Sequence, residues 1–169
     1  MYYFELFDTP ISLVVDKSAL LKKYYTLSKE YHPDNFSLGN ELAQEQALNM
    51  SAKINEAKKI LDNNYKRLEY ILRETNTIIP DEKYVLSPQF LGEMMDINEQ
   101  LIELEFEKNE ADLLKISAEL ASIEASIFTT VQSFFTLSNF EASTSDYLLL
   151  KDFYYKKKYI DRVKEKLEK

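Results

Sequence analysis

The apolar residues of the first sixty positions recur at helical spacing and predict a hairpin of two helices. Asp16 can cap a helix, and behind it apolar residues share one face while lysines occupy the others. Pro33 lacks an amide hydrogen and disfavours helical geometry at His32, so this basic helix must end there. A second helix over about 40–61 is long enough to lie antiparallel against the first. The apolar face of the first helix consists of Leu20, Tyr24, Leu27 and Tyr31.

Two shorter helical patterns flank this hairpin, over residues 2–7 and 65–73. Between Glu74 and Ser87 the helical spacing is lost, and prolines bracket that stretch, as is typical of a connection between domains. We therefore predict a first domain over residues 1–74, a linker over 75–86 and a second domain over 87–169.

The second domain shows three helical patterns joined by short polar breaks, which favours an antiparallel three-helix bundle. Asn109 is predicted to cap the second helix, and Ser143 or Ser145 to open the third. The predicted core stripes are Phe90, Met94, Ile97, Leu101 and Leu104; then Leu113, Ile116, Leu120, Ile123, Ile127, Val131 and Phe134; then Leu149, Phe153, Ile160, Val163 and Leu167. The fold class expected for the whole chain is all-α.

The amino-acid composition argues against several classes of function. With 45% hydrophobic and 30% charged residues, the 169-residue chain has a globular balance. A net charge of −8 argues against nucleic-acid binding, and the absence of cysteine with a single histidine argues against a metal site. No apolar run reaches the ~20 residues that span a membrane. We expect no cofactor and a cytoplasmic location.

The tripeptide His32-Pro33-Asp34 is the strongest candidate for a functional site. A histidine beside an aspartate could serve as a general base with its orienting carboxylate, but the sequence carries no nucleophile elbow or glycine-rich phosphate loop. Placed between a basic helix and a longer one, the tripeptide resembles a J-domain, the module by which co-chaperones engage DnaK-type ATPases. The resemblance implies that this loop contacts the ATPase, together with Lys22, Lys23 and Lys29.

The resemblance extends to the HscB family of J-domain co-chaperones. Matching segments lie at residues 3–7 (YFELF), 51–57 (SAKINEA), 67–72 (RLEYIL) and 90–95 (FLGEMM). Membership would imply an HscA-type chaperone ATPase and an IscU-like iron–sulfur scaffold protein as partners. Where the family's client-binding segment carries a bulkier apolar residue, this chain has Gly92, and Asn35 stands where J-domains usually have lysine.

The helix after Pro88 carries a second apolar stripe roughly 130° around from its core face. This strip consists of Leu91, Met95, Ile102 and Phe106, with Asp96 and Glu99 at its border. One interpretation is a client-binding surface, with Leu91, Met95, Asp96 and Glu99 matching family positions implied in scaffold contact and Tyr155 adding a contact from the last helix. The alternative is that Leu91 and Ile102 pack against the first domain or the third helix.

Four functions follow for testing. The leading one is a non-enzymatic co-chaperone that stimulates a DnaK- or HscA-type ATPase and delivers an IscU-like scaffold. The others are a J-domain co-chaperone for a different client, a helical interaction scaffold in which the tripeptide is incidental, and a hydrolase that uses His32 and Asp34.

Overall fold

The computed structural model describes residues 1–36, 41–106, 109–136 and 141–167, which form α-helices and short 3₁₀ turns without a strand, so the all-α prediction is confirmed. The chain divides into two compact units, one of Met1–Thr75 with Phe134–Glu141, the other of Asn76–Ser133 with Ala142–Lys169. The helices are α1 (Tyr2–Leu6), α2 (Lys17–Glu30), α3 (Glu41–Leu61), α4 (Asn64–Glu74), α5 (Pro88–Phe106), α6 (Glu110–Thr129) and α7 (Thr144–Leu167).

Helices α2 and α3 pair in the first unit as the predicted hairpin. The Asp16 side chain accepts hydrogen bonds from the amides of Ser18 and Ala19, which caps α2 as expected. Helix α2 ends at Glu30, and its partner is described from Glu41, so Asn40 lies outside the described residues. The buried side chains of the pair include Leu20 and Leu27 from α2 and Ala47, Ile54, Ala57 and Leu61 from α3.

Helices α1 and α4 complete this unit. The Tyr3 ring stacks on the Tyr70 ring at 4.7 Å between centroids, and the Tyr3 amide donates to the Tyr70 hydroxyl. Arg67 of α4 is buried, and its guanidinium donates to the carbonyl oxygens of Leu13 and Leu61. A buried charge must be compensated by hydrogen bonds, and these two carbonyls come from chain segments far from one another. The apolar pattern alone did not predict a buried arginine.

Helices α5, α6 and α7 form the predicted antiparallel bundle in the second unit. Gln100 of α5 donates to Glu119 of α6 at 3.3 Å, and Phe128 of α6 lies 6.0 Å from Phe153 of α7 between ring centroids. The core joins all three helices and includes the predicted face of α5. Its buried members are Phe90, Met94 and Ile97, then Ile116 and Leu120, then Ile160 and Val163.

The predictions for two helix ends had different outcomes. Ser143 and Asp146 exchange side-chain-to-amide hydrogen bonds, so Ser143 opens α7 as one of the two predicted candidates. Helix α6 ends at Thr129, and the prediction of one helical stripe through Phe134 is wrong, since Phe134 lies in a separate 3₁₀ turn. The hydroxyls of Thr129 and Thr130 donate to the carbonyls of the last turn and compete with its backbone ladder.

Candidate functional site

The loop between α2 and α3 presents the tripeptide to solvent. Pro33 opens a 3₁₀ turn, Pro33–Phe36, and the side chains of His32 and Asp34 are 57% and 89% exposed. The His32 ring accepts a hydrogen bond at Nδ1 from the Asp34 amide at 3.3 Å, and the Asp34 carboxylate lies 3.6 Å from the same nitrogen. A protein partner can therefore reach both side chains.

Asn35 holds this turn against the end of α2. Its side-chain amide donates to the Lys29 carbonyl at 2.7 Å, and its backbone amide donates to the His32 carbonyl at 3.0 Å. These bonds, with the fixed φ of Pro33, limit the conformations of the loop before a partner binds. A loop that is already ordered loses less entropy on binding.

The lysines predicted to support the loop differ in their surroundings. Lys22 and Lys29 are exposed, and within the described ranges neither lies within ion-pair distance of a carboxylate. Lys23 instead forms an ion pair with Asp8. The same solvent face of α2 also carries Tyr25, which is 63% exposed, and Leu21, which is 43% exposed. The sequence reasoning missed both, although their helical offset from Leu20 could have shown it.

The second apolar strip of α5 is open to solvent. Leu91, Met95 and Ile102 are 37%, 61% and 55% exposed, whereas the neighbouring Met94 is fully buried. Phe106, the fourth member, lies outside the described side chains. Within the second unit the strip is therefore accessible, which favours the client-surface interpretation over packing of Leu91 and Ile102 against α7.

Two acidic residues and a glycine border this strip. Asp96 and Glu99 are exposed beside it, as the acidic border in the sequence predicted. A Cβ placed on Gly92 would meet no atom within 4 Å, so this position is open rather than filled by a neighbour. Gly92 therefore leaves an open position at the acidic border of the strip.

Tyr155, the predicted contact from α7, is engaged within the second unit. Its ring stacks on the Tyr84 ring at 4.5 Å, and its hydroxyl donates to the Glu82 carboxylate at 3.1 Å. Lys151 binds the same carboxylate, and Tyr84 donates to Asp152 at 3.0 Å. We call this set of five side chains the clasp, because it holds residues 82–84 of the predicted linker on α7. The sequence patterns did not predict a contact between residues 82–84 and α7.

The clasp also perturbs two ionisations. The hydrogen bond from Lys151, followed by that from Tyr155, holds the pKa of Glu82 below its ordinary value despite partial burial. Burial, reinforced by the Asp152 carboxylate, raises the pKa of Tyr84 to about 12. Glu82 is thus ionised and Tyr84 neutral near neutral pH, as their hydrogen bonds require.

Catalytic and metal chemistry find little support in the described ranges. His32 and Asp34 lie on an open surface, where His32 Nδ1 already accepts a backbone hydrogen bond, and the described contacts bring no nucleophile to the pair. No cluster of three or more His, Cys, Asp or Glu side chains there is arranged to hold a metal ion. None of the described helices combines the length and apolarity required to cross a bilayer.

Comparison with known proteins assigns a family to each region. A DnaJ domain model matches residues 11–70, and the HSCB C-terminal oligomerisation domain model matches residues 86–168. The co-chaperone protein HscB homolog of Colwellia psychrerythraea is 35% identical over 72% of this chain and 71% of its own length. The homolog of Vibrio campbellii is 38% identical, and that alignment spans 60% of each chain.

A solved structure extends the similarity to the whole chain. Chaperone HscB from Vibrio cholerae superposes with a TM-score of 0.81 at 29% sequence identity, covering 98% of this chain and 95% of that one. Both helical units therefore have counterparts in a single known protein.

Proposed function

Since this chain belongs to the HscB family of J-domain co-chaperones, we propose that it stimulates an Hsp70-type chaperone ATPase in iron–sulfur cluster assembly and delivers an IscU-like scaffold protein to it. The observation that carries the proposal is the solvent-exposed tripeptide on an ordered turn, in a chain that also exposes an apolar strip on its second unit.

The loop acts by binding rather than by chemistry on this chain. Asp34, 89% exposed, can form a charge-assisted hydrogen bond with a cation of the ATPase, and the ordered turn lowers the entropy lost on docking. If the loop binds one conformation of the ATPase more tightly than another, it shifts the ATPase toward that conformation. Stimulation of hydrolysis needs no catalytic group on the co-chaperone.

The lysines of α2 guide the approach. Lys22 and Lys29 keep their charge available, whereas Lys23 is partly neutralised by Asp8, so the two exposed lysines supply most of the attraction. Tyr25 and Leu21 add apolar contact area on the same face.

The α5 strip receives the client. Leu91, Met95 and Ile102 together present an exposed apolar line, and methionine adapts its shape to a partner surface. Asp96 and Glu99 orient the client by charge. Tyr155 contributes by positioning residues 82–84 through the clasp, since its ring and hydroxyl are both engaged there.

A steady-state ATPase assay with the Hsp70-type chaperone of the same genome tests the proposal. The wild-type protein should raise turnover, and Asp34→Asn should abolish the increase. Glu45→Gln, which neutralises an exposed carboxylate of α3, is the matched control and should stimulate normally. Because Asp34 is exposed, its substitution should change the unfolding free energy by less than about 0.5 kcal/mol.

Adding the scaffold protein to the assay tests client delivery separately from stimulation by the loop. A synergistic increase in turnover supports delivery of an IscU-like scaffold, whereas stimulation without synergy indicates a different client. Full stimulation by Asp34→Asn would refute the role of the loop.

A further inference from the structure

The cations of α7 divide into two groups by their partners. Those that face the rest of the second unit are paired: Lys151 with Glu82, Lys156 with Asp152, and Lys157 and Lys164 with Glu124. Burial alone would raise the pKa of Glu124, but the hydrogen bonds from Lys164 and Lys157 outweigh it and hold that pKa below its ordinary value. These ion pairs belong to the packing of the unit.

Three further cations of α7 lie on one line at i, i+4 and i+8: Lys158, Arg162 and Lys166. All three are exposed, and within residues 1–36, 41–106, 109–136 and 141–167 no carboxylate lies within ion-pair distance of any of them. Two acidic residues adjoin the line in sequence: Asp161, next to Arg162, pairs with Lys157, and Glu165, next to Lys166, forms no ion pair within the described ranges. In a chain of net charge −8, three adjacent uncompensated cations form a local exception.

Aromatic rings restrict the side-chain conformations of two of these cations. The Arg162 guanidinium lies 5.6 Å from the Tyr159 ring centroid, and the Lys158 ammonium lies 5.7 Å from the Tyr154 ring centroid. Arg162 also donates from Nε to the Lys158 carbonyl at 3.4 Å. A cation held over a ring loses fewer rotamers when it binds a carboxylate.

Lys166 is the member of this line that contacts α5. Phe90 meets Tyr159 edge-on at 6.0 Å, and Lys166 donates to the Asn98 side chain at 3.3 Å. Residue numbers increase together in these two contacts, so α5 and α7 run in the same direction along this side of the bundle. Asn98 falls on the strip at i+7 from Leu91, so Lys166 brings the C-terminal end of the cation line to the strip.

We propose that Lys158, Arg162 and Lys166 form a cationic rim that binds carboxylates on the client segment seated along the α5 strip. With Asp96 and Glu99 on α5, the strip has rims of opposite charge, so it favours an amphipathic client segment with one acidic edge. The two rims fix which way round that segment lies. This inference rests on the proposed function of the strip as the client site.

Affinity measurements with the purified iron–sulfur scaffold protein of the same genome test the rim. The wild-type chain is compared with Arg162→Gln/Lys166→Gln and with Arg162→Glu/Lys166→Glu. Exposed ion pairs are individually weak, and reversal replaces each attraction by a repulsion, so reversal of two charges should weaken binding on the order of tenfold at low salt. The neutral variant should lie between, and the differences should shrink as ionic strength rises.

The matched control is Lys66→Glu/Lys115→Glu, which makes the same change in net charge on α4 and α6. It should bind the scaffold within about twofold of wild type. Circular dichroism establishes that each variant is folded. A packing role for the rim would not produce a graded, salt-dependent loss.

The outcomes are distinguishable. If wild type binds and Leu91→Ala/Met95→Ala weakens binding while the charge-reversed variant binds normally, the rim is overturned and the client site stands. If wild type does not bind the scaffold at all, both proposals fail. If charge reversal abolishes binding to vesicles of anionic phospholipid but leaves scaffold affinity unchanged, the rim serves a membrane surface and the inference is overturned.

Discussion

The α5 strip allows a quantitative prediction, because two of its side chains are exposed to known extents. Leu91 is 37% exposed and Met95 is 61% exposed. Complete burial of such a side chain contributes ~2.2 kcal/mol, so a client that covers the exposed fractions gains about 0.8 kcal/mol from Leu91 and about 1.3 kcal/mol from Met95. We therefore expect Leu91→Ala/Met95→Ala to cost about 2 kcal/mol of binding free energy, which is roughly a thirtyfold increase in Kd.

Isothermal titration calorimetry with the scaffold protein measures this change. The ATPase stimulation without scaffold should stay at the wild-type level, because the substituted residues lie on the second unit and the tripeptide on the first. Leu114→Ala is the matched control, since Leu114 is 67% exposed on α6, and it should leave the affinity unchanged.

Stability must be followed in the same samples. Met95 is 61% exposed, so its substitution should cost little stability, but Leu91 is only 37% exposed and its replacement by alanine also removes packing inside the second unit. The double variant should therefore be about 1 kcal/mol less stable than wild type, and thermal melts establish that it remains folded at the assay temperature. A double variant that is folded and binds the scaffold within threefold of wild type would refute the assignment of the strip as the client site.

Two further predictions concern the second unit. Gly92→Ala should raise the stability by about 0.5–1 kcal/mol in urea unfolding, since its Cβ meets no atom within 4 Å and alanine favours a helix interior; a lower urea midpoint would contradict this. Glu82 has a folded-state pKa below its unfolded value, so the stability from the clasp is fully present above the unfolded carboxyl pKa, ~4.3, and is lost as the pH falls through the folded pKa. When the unfolding free energy is measured as a function of pH, Glu82→Gln should therefore lose this pH-dependent contribution. A variant whose stability falls with decreasing pH as steeply as that of wild type would show that the clasp does not couple to folding.

Local rules account for much of the agreement between sequence and structure. Asp16, Asn109 and Ser143 cap the helices they were predicted to open, because a cap depends on a side chain and amides two or three residues away. The core face of α5 was predicted for a similar reason, since helical spacing places Phe90 and Met94 on one side whatever lies opposite.

Helical spacing alone could not show which residues of an apolar face are buried by neighbouring elements. Leu149 lies on the predicted face of α7 but is 49% exposed, whereas Leu150 is fully buried. The spacing of apolar residues shows which of them share a face, and the neighbouring elements determine how much of that face they cover.

Taken by itself, the sequence of this HscB-family co-chaperone determined the helical faces, their caps and the exposed turn at Pro33, because these depend on neighbours within a few residues. The tertiary structure decided which charged and polar groups find partners. Lys23 meets Asp8 across 15 residues, and Tyr155 meets Glu82 across 73. Such pairings follow from distances through space, which packing sets and the order of residues does not state.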